Sequence, residues 1–134
     1  MWRVSLGFLC LVAAASAGEI DFNRDIRPIL SDNCIFCHGP DEAHREAKLR
    51  LDTLEGAREV IVPGEPNKSA LIDRIFSKDP DERMPPPDSA KELDTEEREL
   101  LKRWIVEGAV WKDHWAYVSP EKPSASLSYS PRIA

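Results

Sequence analysis

Five consecutive residues, Cys34-Ile35-Phe36-Cys37-His38, constrain this chain more than any other stretch. Two cysteines separated by two residues and followed at once by a histidine form the attachment pattern of a c-type haem. Each thiol would add to one vinyl group of the haem, and the histidine would bond the iron through an imidazole nitrogen. The pattern therefore predicts one covalently bound haem c, attached at Cys34 and Cys37, with His38 as the proximal iron ligand.

Other kinds of site also contain a Cys-x-x-Cys pair. Structural zinc takes four ligands, and the remaining histidines, His44 and His114, form no zinc pattern with the pair. A thioredoxin-like dithiol is expected beside a βαβ pattern, which this sequence lacks. A disulfide is the usual fate of two cysteines in an exported protein, but a two-residue spacing is short for a structural staple. The haem interpretation is favoured over all three.

The first 17 residues have the features of a secretory signal peptide. Arg3 supplies a basic start, an apolar run extends over residues 4–15, and Ala15-Ser16-Ala17 resembles a cleavage site. An uncleaved anchor is the alternative, but the run is shorter than the ~20 residues that a transmembrane helix needs. We expect removal of residues 1–17 and a periplasmic or otherwise extracytoplasmic protein that is not integral to the membrane. Attachment of c-type haem outside the cytoplasm agrees with this location.

The second iron ligand is predicted to be Met84. A lone methionine is often a flexible core filler, but Met84 follows a charged segment and precedes three prolines. Proline fixes its own backbone angles, so this loop would present the thioether to the iron at low entropic cost. A thioether ligand raises the reduction potential. The alternatives as ligands are His44 and His114. If Met84 does not bind, five-coordinate iron would permit a peroxidase-like enzyme.

Apolar periodicity predicts a mostly helical domain. Three main helices are expected at about 24–33, 67–77 and 94–107, with a weaker, shorter one between 53 and 60. The last helix begins with the capping-box pattern of Asp94 and Glu97. Pro28 conflicts with the first helix, because proline is tolerated only in a helix's first turn.

The charge balance excludes one class of partner and favours another. The formal net charge is −6 and the isoelectric point is about 5.1. Nonspecific nucleic-acid binding requires basic surface, so we expect no nucleic-acid partner. A charged redox partner is expected to present a basic face.

Taken together, the motifs over residues 20–117 resemble the planctomycete-type cytochrome c domain. That resemblance implies an all-α, cytochrome c-like fold, with about three main helices packed round one covalently bound haem. It also implies that Cys34 and Cys37 attach the haem, that His38 is the proximal ligand and that Met84 is the distal ligand. The matching blocks are Phe22–Ser31, Cys34–Asp41, Leu49–Thr53, Val62–Pro66, Ser69–Ile72, Asp79–Pro87, Leu100–Ile105, Gly108–Ala109 and His114–Tyr117.

The resemblance also predicts the domain organisation and the function. Residues 18–117 would form the cytochrome c domain, and the Ser- and Pro-rich residues 118–134 a flexible tail or a truncated interdomain linker. Family members are commonly the N-terminal part of longer exported proteins, so the expected partner is a redox protein or a downstream domain. With iron bound on both faces, we expect one-electron transfer and no catalysis. A haem-based interaction or sensing module of a larger exported enzyme is the alternative, supported by Trp111, Trp115 and Tyr117.

Overall fold

The computed structural model describes residues 18–114 and 116, and within these residues the chain is helical with no strand. The all-α prediction is therefore confirmed for this part. No helix in it is long and apolar enough to span a membrane. The predicted signal peptide, Trp115, Tyr117 and the predicted tail lie outside the described residues. The elements are a π-helical turn (Phe22–Ile26), α1 (Arg27–Asn33), α2 (Leu54–Ala57), a 3₁₀ turn (Pro66–Lys68), α3 (Ala70–Phe76) and α4 (Thr95–Val106).

The π-helical turn resolves the conflict at Pro28. The Asp21 carboxylate accepts hydrogen bonds from the backbone N–H groups of Asn23 and Arg24, both at 3.0 Å, and so caps this turn. The Arg27 N–H then donates to the carbonyl oxygen of Phe22, five residues earlier. Pro28 consequently falls in the first turn of α1, where its missing N–H has no helical partner to satisfy. The helical segment thus begins at Phe22, two residues before the predicted start.

The helix expected at 67–77 is divided in two by Ser69. This residue is fully buried, and its hydroxyl does not cap α3. The Oγ instead accepts a hydrogen bond from the Val62 N–H at 2.9 Å and donates to the carbonyl oxygen of Glu65 at 3.0 Å. Because the serine ties down the turn before it, a 3₁₀ turn comes first and α3 begins only at Ala70.

Helix α4 has the ends that its sequence predicts. The Glu97 N–H donates to Asp94 Oδ1 at 2.8 Å, and the Asp94 N–H donates to Glu97 Oε2 at 2.9 Å, which completes the capping box. The helix ends before Gly108, whose φ of 100° is accessible to glycine at little cost. The Ala109 N–H then donates to the Trp104 carbonyl oxygen at 2.9 Å and closes the C-terminus.

The core lies where α4 crosses the π-helical turn and α3. The Phe22 ring lies 5.5 Å from the Trp104 ring and 4.2 Å from the Trp111 ring, measured between centroids. Trp104 therefore packs on the first helical segment, and Trp111 closes this end of the core. The buried apolar side chains are Phe22, Ile26, Ile29, Leu30, Leu51, Ala57, Ile61, Leu71, Ile72, Ile75, Leu93, Leu101, Trp104 and Ile105.

Polar contacts fasten the segment after α4 to the start of the domain. Lys112 Nζ lies 2.6 Å from Asp21 Oδ2, and this hydrogen bond is the main reason that the pKa of Asp21 is lowered. Arg27 donates to the carbonyl oxygen of Lys112 at 2.6 Å, and the Asn23 amide donates to that of Asp113 at 2.9 Å. The two ends of the described chain therefore support each other.

The capping box of α4 gives a stability prediction. Replacing Asp94 with alanine removes the acceptor of the Glu97 N–H, so we expect the free energy of unfolding to fall by about 1 kcal/mol. Urea titration measures it. Asp88→Ala is the control, because Asp88 is exposed. Equal losses in the two variants would contradict a capping role for Asp94.

Candidate functional site

The end of α1 places the three residues of the predicted attachment motif within one turn. The Cys34 N–H donates to the Leu30 carbonyl oxygen at 2.8 Å, which continues the helix to the first cysteine. The N–H groups of Cys37 and His38 then both donate to the Cys34 carbonyl oxygen, at 3.2 and 2.8 Å. The backbone geometry of the motif is therefore fixed by the helix that precedes it.

Both cysteines are half-buried and neither forms a disulfide. Burial raises the pKa of the Cys34 thiol to about 12, and the nearby Cys37 and Glu97 raise it in the same direction. Loss of water disfavours the charged thiolate, so Cys34 is protonated at neutral pH. The effect of Glu97 also shows that the first turn of α4 lies near the attachment motif.

The imidazole of His38 makes no hydrogen bond within residues 18–114 and 116. Its Nδ1 is buried and lacks a partner. A buried polar nitrogen left without a partner costs roughly 1–3 kcal/mol, and such a group calls for a functional explanation. Two reduced thiols followed by an imidazole with no protein partner fit the donor set that a haem c requires. Cys34, Cys37 and His38 would hold that group.

The loop after the motif folds back onto it, which the sequence did not predict. The Glu46 N–H donates to the Cys37 carbonyl oxygen and the Leu51 N–H to that of His38, each at 2.7 Å. Gly39 is buried, and a Cβ there would overlap the Ile35 carbonyl oxygen. The highly charged segment 41–48 is mostly exposed. Its backbone nevertheless supports the motif, and the glycine directly after His38 was the available signal.

Met84 is half-buried in the loop between α3 and α4. Its N–H donates to the Arg74 carbonyl oxygen in α3 at 3.0 Å, and the Arg83 N–H donates to that of Asp79 at 2.9 Å. The Met84–Pro85 peptide bond is cis. The loop is thus held by backbone contacts as well as by its prolines. A cleft of about 240 Å³ beside Met84 has a predominantly polar lining, formed by Arg83, Met84, Pro85, Pro87, Ser89, Ala90, Lys91, Glu92, Leu93 and Arg98.

The cleft beside Met84 does not include Cys34, Cys37 or His38. A second cleft of about 210 Å³, between α2 and Trp104, does not include them either. The structure therefore brings the three motif residues together and places Met84 in a separate, anchored loop. Ligation by Met84 stays a prediction.

Arginine side chains suit the carboxylates of a bound haem, and the sequence offers Arg24, Arg27, Arg50 and Arg83 as candidates. Arg24 is paired with Asp25, and Arg50 with Asp52. The Arg27 guanidinium donates to Asn23 and to the Lys112 carbonyl oxygen. Within the described part of the chain, the half-buried Arg83 side chain has no such partner, and it borders the cleft beside Met84.

The two alternative histidine ligands have different surroundings. The His44 side chain is 52% exposed, its Nδ1 lies 2.8 Å from Asp41 Oδ2, and its ring centroid lies 4.9 Å from that of Phe36. His114 Nδ1 accepts a hydrogen bond from the Ala116 N–H at 3.2 Å. Among residues 18–114 and 116, no group of three or more His, Cys, Asp or Glu side chains is arranged to hold a metal ion.

Comparison with known families gives one match. Residues 34–88 match the family model described as Planctomycete cytochrome C, from the first cysteine of the attachment motif to just beyond the Met84 loop. The resemblance seen in the sequence is confirmed over this segment. Comparisons with curated proteins and with solved structures gave no match.

The raised pKa of Cys34 predicts its reactivity before haem attachment. In haem-free protein carrying Cys10→Ser and Cys37→Ser, Cys34 is the one remaining thiol. We expect it to react with iodoacetamide at pH 8 on the order of a thousandfold more slowly than free cysteine does, because about one thiol in 10⁴ would be ionised, against roughly one in four at the ordinary pKa of ~8.5. The rate should rise with pH towards 12. Labelling at the speed of free cysteine would show that this thiol is not desolvated.

Proposed function

From the match of residues 34–88 to planctomycete cytochrome C, we propose that this protein is an exported monohaem c-type cytochrome domain that transfers single electrons. The observation that carries the proposal is the His38 imidazole, which is half-buried, has no hydrogen-bond partner in the described chain and lies in the same turn as two free thiols. Nothing else in that turn explains why a buried imidazole nitrogen should lack a partner.

Each residue of the site has a separate role in this proposal. Cys34 and Cys37 hold the haem by thioether bonds, so the domain does not depend on affinity alone to retain it. His38 and Met84 would each supply a ligand to the iron. The haem, when bound, supplies iron that alternates between the ferric and ferrous states. With both of these side chains as ligands, the iron would have no free position for a substrate, and electron transfer is favoured over catalysis.

The proposal also covers the helices, the arginine and the charge that surround the site. The three main helical segments, residues 22–33, α3 and α4, pack round the haem in a cytochrome c-like arrangement. Arg83, with no other partner among the described residues, pairs with a haem propionate, since guanidinium groups suit carboxylates. The partner is a redox protein or a downstream domain, and the acidic net charge of the chain, −6, favours one with a basic face. Residues 1–17 direct export to the periplasm or another extracytoplasmic space.

The attachment residues are tested by a haem stain. We expect Cys34→Ala and Cys37→Ala each to weaken covalent attachment, because one thioether remains, and the double variant to abolish it. Denaturing gel electrophoresis of protein made with haem-maturation machinery, followed by haem staining, measures this. Cys10→Ala is a matched control that should leave staining intact. An unstained wild-type band would overturn the proposal.

Met84 is tested by the reduction potential. We expect Met84→Ala to lower the potential and to open one face of the iron, because the thioether stabilises the ferrous state. Redox titration and visible spectra of both oxidation states measure the change. An unchanged spectrum and potential would rule Met84 out as a ligand. Carbon monoxide binding to the reduced wild-type protein without displacement of Met84 would favour the enzyme alternative.

A further inference from the structure

The position of His38 depends on its backbone, because its side chain has no hydrogen bond within the described residues. Histidine ligands are usually oriented by a partner on the second ring nitrogen. Here two backbone hydrogen bonds hold the residue: the His38 N–H donates to the Cys34 carbonyl oxygen at 2.8 Å, and the His38 carbonyl oxygen accepts from the Leu51 N–H at 2.7 Å. Leu51 itself is buried, with 3% of its surface exposed, so this donor is shielded from water.

The segment that carries Leu51 packs against α2. Gly56 is buried against Arg50, and a Cβ at Gly56 would overlap the Arg50 carbonyl oxygen and lie 2.6 Å from the Arg50 Cβ. Real Cβ atoms do not approach backbone this closely, so only glycine permits the contact. The Arg50 carbonyl belongs to the peptide unit whose N–H is that of Leu51. The glycine therefore touches the same peptide unit that donates to His38.

Two further contacts keep this arrangement rigid. Arg50 and Asp52 form a two-point ion pair, with distances of 2.7 and 2.5 Å, across the bend. Thr53 Oγ1 accepts a hydrogen bond from the Gly56 N–H at 3.2 Å and caps α2. Ala57, which follows the glycine in α2, is buried in the core, so α2 cannot move away from Arg50 without disturbing the core.

We propose that Gly56 is a positioning residue for His38, acting through the Arg50–Leu51 peptide unit. A side chain at position 56 would displace that peptide, lengthen the Leu51–His38 hydrogen bond and shift the imidazole relative to the iron. The effect on the iron rests on the proposed function, whereas the effect on the hydrogen bond does not.

The experiment compares holoprotein carrying Gly56→Ala with wild type. We expect the Leu51 amide to exchange with solvent about tenfold faster, the paramagnetically shifted proton resonances of His38 to move, and the midpoint potential to shift. Gly18→Ala is the matched control, because nothing lies within 4 Å of a Cβ at that position. Ile75→Val controls for lost stability, since Ile75 is a core residue in α3 and takes no part in the contacts between Gly56, Arg50 and Leu51. It should lower the urea midpoint and leave the His38 resonances and the potential unchanged.

The possible results distinguish a failure of the role proposed for Gly56 from a failure of the proposed function. A Gly56→Ala protein with lower stability but unchanged Leu51 exchange, His38 resonances and potential would overturn the positioning role. A wild-type chain that takes up no haem would overturn the proposed function, and the Leu51 exchange rate would still decide the role of Gly56. If Gly56→Ala does not fold, Thr53→Ala loosens α2 without added bulk and should accelerate Leu51 exchange to a smaller extent. No acceleration there would also count against the proposal.

Discussion

The packing of Phe22 against Trp104 is the contact on which the rest of the domain depends. Phe22 begins the helical segment that ends at Cys34, and Trp104 lies in α4, whose first turn brings Glu97 close to the same cysteine. The contact therefore fixes the direction of both elements that approach the attachment motif. Trp111 also packs on the Phe22 ring, at 4.2 Å between centroids, and lies 6.4 Å from the Trp104 ring. Aromatic side chains dominate small cores in this way because each buries a large apolar area.

Local signals in the sequence predicted the ends of the helices better than their interiors. The Asp94 and Glu97 pair and the glycine at 108 mark α4 correctly, because capping is decided by a few neighbouring residues. Pro28 indicated a conflict that the sequence alone left open. The π-helical turn that removes it is stabilised by Phe22 and Ile26 in the core, and such tertiary packing has no local signature. Ser69 likewise hydrogen-bonds the preceding turn and leaves α3 uncapped.

The same distinction between local patterns and tertiary contacts applies to the candidate site. The attachment motif was readable because its chemistry needs fixed residue types at fixed spacing. The residues that support the motif in the fold could not be identified from the sequence. By helix propensity Gly56 is a weak point in the short helix expected between 53 and 60, whereas the structure makes it the point of closest approach to Arg50. Propensity measures the cost of glycine in an isolated helix. It contains no information about the Arg50 backbone that packs against this glycine, or about what that backbone supports.

The two predicted iron ligands are anchored by different elements, and this bears on electron transfer. His38 receives a backbone hydrogen bond from the segment that α2 supports, and Met84 donates one to α3. The protein's part in cofactor chemistry is to fix position and electrostatics. If both residues bind the iron, a change of oxidation state that altered one iron–ligand bond would also have to displace the backbone that holds that ligand. Such a displacement is costly in a close-packed core. Ligand positions that are costly to change favour the same geometry in both oxidation states, which suits a carrier. An enzyme that binds a substrate at the iron would need one of the two ligands to move away. Met84 would move more easily than His38, because its loop has fewer buried residues than the segment around Leu51 that supports His38.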